Sequence, residues 1–354
     1  MNMVIWQGVG VSLTRLIGRT MIDRGFRRIT PALRAASFAS LLGSAATAFV
    51  TPLQADAQAP LPREGFVVTP DSVRLHYIVE GAGRDTLIAI HGGPGVDLES
   101  VRGDFAPLAE QHVVIYYDQR GTGGSTLPAD TVRLTAAQQI LDLDAVRMHF
   151  RLSRVTLVAH SYGPLLAATY AIAHPDRVRR MVFFGPVPPR RGDFWTRFGQ
   201  SFATRLDSAA LRRMADATRR MNDPAADQRQ GCRDYWADGV RPRLAEPDRT
   251  SVLIRSNLCA ASPAAIAYGL STTNRVVMGS YGDWDIRVAL RAVSAPTLIV
   301  HGEQESIPMD LVEEWTTSLP HARLMRVPRA AHFPYVERPE LVWPAVERFL
   351  AGVE

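Results

Sequence analysis

Ser161 closes the run Val155-Thr156-Leu157-Val158-Ala159-His160-Ser161 and is followed by Tyr162-Gly163. A β-branched, apolar strand thus meets a serine with a small residue two positions away on either side, and helix-like Leu165 to Ala173 follows. Such a strand-to-helix turn presents a nucleophilic hydroxyl, and positions 159 and 163 must be small because strand and helix approach closely there. A serine hydroxyl attacks poorly until a base takes its proton, and the base needs a third group to orient it. In an open α/β sheet those groups stand on loops at the carboxyl ends of strands, in the chain order serine, acid, histidine.

After the apolar run Thr297 to Val300 comes His301-Gly302-Glu303-Gln304-Glu305-Ser306-Ile307-Pro308. Glu305, three residues beyond the glycine, is the expected orienting acid, with Glu303 in reserve. Ala330-Ala331-His332-Phe333-Pro334 lies between the last strand-like run and a terminal helix, so His332 is the expected base. His160, beside the serine, is expected to pack under the turn. The developing oxyanion needs two backbone N–H donors. Tyr162 supplies one, and Gly93 of His91-Gly92-Gly93-Pro94-Gly95, directly after Thr86 to Ile90, supplies the other. A lone loop histidine or a lone acidic loop is usually solvated surface; the ordered set is what argues for chemistry.

Those loops require a sheet. Phe66–Val68, Val73–Val79, Thr86–Ile90, Val113–Tyr117, Val155–Ala159, Arg180–Phe184, Pro296–Val300 and Ala322–Val327 read as strands, several as continuous apolar runs expected of strands buried on both faces. Ala136–Phe150, Leu165–Ala173 and Leu341–Leu350 have helical spacing. Between 187 and about 287 the alternation stops, and Arg, Asp and Ala recur at helical spacing. The expected class is α/β: a mostly parallel sheet flanked by helices, formed by residues 58–186 and 288–354, with a helical insertion at 187–287.

The motifs HGGPG at 91–95, DQRGTGGS at 118–125, the turn at 159–163, GEQES at 302–306 and AHFP at 331–334 together resemble the α/β-hydrolase superfamily. Within it the chain is most similar to proline iminopeptidase-like serine hydrolases, over about residues 65–354. The resemblance implies that the insertion caps the active site and that the reaction removes an N-terminal residue, often proline, from short peptides. Ala159 stands where the family usually has glycine, Pro164 where a small residue is common, and Glu305 where aspartate is usual. The Trp-x-x-Trp-Glu-like pattern that would hold a substrate ammonium is absent, leaving Asp234, Asp238, Glu246 and Asp283 as substitutes. A carboxylesterase or lactonase with the same triad is the alternative, and a non-catalytic binding protein on this fold is a second. Epoxide hydrolase and dehalogenase chemistry is disfavoured because those relatives use a carboxylate nucleophile where this chain has Ser161.

Composition narrows the classes further. All 40 Lys+Arg residues are arginine, so Schiff-base, pyridoxal-lysine and P-loop-lysine chemistry is excluded. No cofactor or metal is implied. Six arginines against Asp23 and Asp56 place four of the five net positive charges in residues 1–57, which leaves no basic groove for nucleic acid. Arg24, Arg27, Arg28 and Arg34 precede uncharged Ala35–Val50, then Pro52 and Ala55-Asp56-Ala57. That is the order of an export leader covering residues 1–57, of ordinary length if counted from Met21, with an uncleaved anchor as the alternative. The expected protein is exported, periplasmic or secreted, with a small-molecule or short-peptide substrate and no membrane contact once the leader is removed. Its oligomeric state is left open. Cys232 and Cys259 either bridge or remain two buried thiols.

Overall fold

Eight segments of the chain become strands: β1 (Glu64–Val68), β2 (Arg74–Glu80), β3 (Thr86–Ile90), β4 (Val113–Tyr117), β5 (Val155–His160), β6 (Val178–Phe184), β7 (Thr297–Gly302) and β8 (Ala322–Val327). The computed structural model describes residues 63–83, 85–247 and 256–353, so the leader expected over residues 1–57 lies outside the described residues. The strands form one sheet in the order β1-β2-β4-β3-β5-β6-β7-β8. The β1–β2 and β2–β4 pairs are antiparallel and the rest are parallel. Every residue of β5 and of β7 is buried, which is why Val155–Ala159 and Thr297–Val300 read as largely apolar runs. β7 continues two residues past Val300, through His301 and Gly302, where a loop is expected from sequence. Backbone pairing with β8 runs on to Gly302 opposite Val327, and strand pairing does not depend on side-chain polarity.

Helices cover both faces. Ile88, Ile115, Leu157, Phe183 and Ile299 share one core with α1 (Ala136–His149) and α2 (Gly163–Ala173), whereas Leu87, Val114, Val158, Val182 and Val300 face a second core. The alternation follows from successive strand residues pointing to opposite faces. Between β6 and β7 lie α3 (Phe194–Ala203), α4 (Ser208–Met221), α5 (Gln228–Val240), α6 (Pro263–Tyr268), a π-helical turn at Gly269–Thr273 and α7 (Asn274–Tyr281). Asp207 and Asp227 start α4 and α5 by accepting the N–H groups of Ala210 and Gln230. No helix among the described residues is long and apolar enough to cross a membrane.

The two cysteines are joined: Cys232 of α5 bridges to Cys259, 27 residues on, with the Cα atoms 6.0 Å apart. Closing a loop of that length stabilises by about 3–4 kcal/mol in the chain-entropy model. The Cys232→Ala/Cys259→Ala protein is therefore expected to unfold at a lower urea concentration, with a difference of about that size. An unchanged midpoint would show that the loop is ordered without the bridge.

The chain leaves β3 for β4 on one side and then crosses back to β5 on the other, so the carboxyl ends of β3 and β5 flank a topological switch point. Ile90 pairs with Ala159, His160 with Phe184, and Phe184 with Val300. This register brings the segments that follow Ile90, His160, Phe184, Gly302 and Val327 out along one edge of the sheet.

Candidate active site

Ser161 has φ of 61°, the left-handed region, which costs a non-glycine residue about 1–2 kcal/mol. Two backbone hydrogen bonds hold it there: its N–H donates to Phe184 O at 2.9 Å, and its carbonyl accepts the Val187 N–H at 3.0 Å. The surrounding glycines explain themselves by distance. A Cβ on Gly163 would stand 2.7 Å from Ile90 O, and one on Gly92 would stand 3.0 Å from Ser161 Cβ. Pro164 fits because the first turn of α2 does not use its missing N–H.

His332 Nδ1 lies 2.9 Å from Glu305 Oε2, and Glu305 Oε1 accepts the Ile307 N–H at 3.1 Å. Burial pushes the Glu305 carboxyl up, but the charge and hydrogen bond of His332, with His301 and Ile307, outweigh it and bring it down to about 2. An ionised Glu305 can only accept, so it selects the His332 tautomer with hydrogen on Nδ1 and a lone pair on Nε2. Glu303 is exposed and its backbone N–H pairs with Val327 O; it takes no part in this pair. His160 is buried and joins the histidine loop: its Nε2 is 3.1 Å from His332 O and the two rings are 4.6 Å apart.

Gly93 has φ of 105°, a conformation open to glycine. Its loop is wedged against the insertion: Asn274 Nδ2 donates to Pro94 O at 2.7 Å, and Gly95 meets Gly269 so closely that neither tolerates a Cβ. Among the described residues, neither the Gly93 N–H nor the Tyr162 N–H donates a hydrogen bond. The Tyr162 hydroxyl is buried and donates to Gln139 Oε1 at 2.8 Å.

The DQRGTGGS segment supports the site from behind. Asp118 accepts the N–H groups of Leu98 (2.8 Å) and Gly124 (2.7 Å) and lies 2.9 Å from His76 Nδ1. Buried Arg120 forks onto Asp142 (2.8 and 2.7 Å) and Asp71 (2.8 and 3.0 Å). Gln119 ties this segment to the HGGPG loop, its N–H donating to His91 Nε2 at 3.1 Å.

Three residues near the site are invisible to sequence reasoning. Glu337 bridges two elements, with Oε1 accepting the Ala331 N–H at 2.8 Å and Oε2 the Ala245 N–H at 2.6 Å. Burial holds its carboxyl up at about 7. The carbonyl of Arg243 accepts the His332 N–H at 2.9 Å. Asp97, with Gly95, Trp236, Ile266 and Leu270, lines a small cavity of about 10 Å³ beside the HGGPG loop. None sits in a motif whose spacing marks it. Of the acids considered for a substrate ammonium, Asp238 is forked by Arg213 (2.8 and 2.6 Å) and Asp234 is held by Arg220 at 2.7 Å; Glu246 and Asp283 are exposed.

Burial, followed by the nearby Asp118 and Glu99 charges, raises the Asp97 carboxyl from 3.8 to about 7. The folded state therefore favours the neutral acid. That contribution is complete below pH 4 and is lost as pH rises through about 7. Asp97→Asn, which stays neutral, is expected to match the parent near pH 4 and to exceed it increasingly up to pH 7, levelling off above. The gap is bounded at a few kcal/mol by about 1.4 kcal/mol per pH unit. Thermal melts across pH 4–8 measure it, and a pH-independent difference would contradict the assignment.

A turn-borne hydroxyl, an imidazole backed by an ionised acid, and two unengaged N–H groups are the parts that acyl transfer needs. The model of the α/β hydrolase fold family matches residues 85–339. A proline iminopeptidase of Heyndrickxia coagulans is 26% identical over 293 residues, covering 82% of this chain and 99% of its own. Among solved structures, a thermophilic esterase from Thermogutta terrifontis aligns with a TM-score of 0.59 at 21% identity, over 82% of this chain and 99% of its own. A proline iminopeptidase from Mycobacterium smegmatis aligns with the same TM-score of 0.59 at 23% identity, over 82% and 98%.

Proposed function

The chain belongs to the α/β-hydrolase family, and on that premise we propose that it is a serine hydrolase that cleaves an amide bond through an acyl-enzyme. The observation that carries this reading is the 2.9 Å contact between His332 Nδ1 and buried Glu305, on the same sheet edge as the strained Ser161 turn. Ser161 Oγ attacks the scissile carbonyl carbon while His332 Nε2 takes its proton. Glu305 orients the ring and stabilises the imidazolium. The Gly93 and Tyr162 N–H groups hold the oxyanion. Collapse of the tetrahedral intermediate expels the amine, which takes the proton from His332. A water activated by the same histidine then releases the acyl group.

The substrate is a short peptide from which an N-terminal residue, of the proline type, is removed; similarity to proline iminopeptidases supports this. The insertion at 187–287 acts as the cap. The leader-like order of residues 1–57 and the Cys232–Cys259 bridge both support an exported enzyme. An esterase is the second reading, favoured by the arginine partners that occupy Asp234 and Asp238. Comparing a proline arylamide with a short acyl ester on purified protein separates the two, and turnover of the ester alone would sink the peptidase reading. Absence of both activities, with no fluorophosphonate adduct on Ser161, would leave a binding protein.

A further inference from the structure

Arg243 enters the site twice. Its carbonyl receives the His332 N–H at 2.9 Å, and its guanidinium lies within the electrostatic reach of Glu305 and His160. The guanidinium donates to Gly239 O and stands 4.7 Å from the centre of the Phe202 ring and 6.0 Å from that of Trp236. Trp236 in turn lines the cavity shared with Gly95 and Asp97. Among the described residues no carboxylate pairs with Arg243, whereas the insertion's Arg197, Arg213 and Arg220 have Asp310, Asp238 and Asp234. Glu305 is already engaged by His332.

Taking a cation out of water is expensive unless an anion compensates, and arginine does not escape by losing its proton. One carbonyl and two aromatic faces meet only part of that need. Among the described residues, half-buried Arg243 therefore has no carboxylate of its own, and its guanidinium, within reach of Glu305 and His160, has the fork that matches a carboxylate. We infer that Arg243 is a specificity-determining residue that binds a carboxylate of the substrate close to the bond being cleaved. The substrate class is a short molecule with a free carboxylate about one residue's length from the scissile carbonyl. Two sources share that chemistry: the C-terminus of a dipeptide, on the leaving side, or a second carboxylate on the acyl side.

This inference rests on the serine-hydrolase reading, and the test keeps the two apart. The full chain is assayed with a proline dipeptide against its C-terminal amide, and with the monoaryl ester of glutaric acid against the aryl ester of pentanoic acid. At least one pair is expected to show a kcat/KM preference for the carboxylate member of roughly tenfold or more, the size of a charge-assisted hydrogen bond. The pair that shows it identifies the source. In Arg243→Gln the ratio of kcat/KM between the two members is expected to fall to near unity, whatever change both members share, and fluorophosphonate labelling of Ser161 persists; Arg243→Lys keeps part of the preference. Turnover of neutral members without a carboxylate preference, a preference that survives Arg243→Gln, or an equal loss on both members would overturn the inference alone. No turnover of either pair and no labelling would remove the serine-hydrolase reading and this inference with it.

Discussion

Ser161→Ala is expected to lower kcat by about 10⁵–10⁶-fold and to abolish labelling by a fluorophosphonate, while the protein stays folded. The size follows from the mechanism: without Oγ there is no acyl-enzyme, and only binding and the oxyanion donors remain to accelerate attack by water. The Ser161 backbone is held by Phe184 O and the Val187 N–H, neither of which involves the side chain, so the turn survives the change. Ala keeps a Cβ at φ of 61° and so relieves no strain. Ser161→Gly removes it and is expected to be more stable than Ser161→Ala by about 1 kcal/mol, measured as a shift in urea midpoint. A Ser161→Ala enzyme that retained even a few per cent of parental turnover would rule out the acyl-enzyme route.

The next largest effect is expected from Glu305→Gln, a loss of about 10³–10⁴-fold in kcat with little change in fold. Glu305 uses one oxygen on His332 and the other on the Ile307 N–H, so both positions require an acceptor. A glutamine must turn its NH₂ toward one of them. Turned to His332, it selects the tautomer whose Nε2 already carries hydrogen and cannot act as base; turned to Ile307, it opposes a donor with a donor. Glu305→Asp keeps the charge but shortens the reach by a methylene, so an intermediate loss is expected. Because the Glu305 carboxyl is held near 2, it stays ionised throughout the working range. An acid limb in the parental pH–rate profile well above pH 2 is therefore not the titration of Glu305. Equal activity of Glu305→Gln and the parent would transfer the orienting role to another residue.

The legible parts of this protein were those written in short stretches of chain. The Ser161 turn could be recognised because strand, small residue, serine, small residue and helix are consecutive, and the 2.7 Å approach of Gly163 to Ile90 O shows why the spacing is tight. The sheet could be read because strands buried on both faces are apolar at every position. That criterion also misplaced the end of β7, since His301 is polar yet paired and buried. Glu337 escaped notice because its two partners belong to different elements, one of them 92 residues away. The DQRGTGGS segment was conspicuous in sequence, but its carboxylate and guanidinium support loops and do not face the chemistry.

The amino-acid sequence by itself determined the class of sheet and the order in which Ser161, Glu305 and His332 appear. These depend on side-chain alternation and turn geometry, which act over a few residues. Only the tertiary structure decided that Ile90 stands beside Ala159, that Cys232 meets Cys259, and that Glu305 rather than Glu303 reaches His332. It alone also decided that, among the described residues, Arg243 has no carboxylate partner while Arg213 and Arg220 have Asp238 and Asp234. Charges are neutralised through space, and distance in space is set by the whole packed chain.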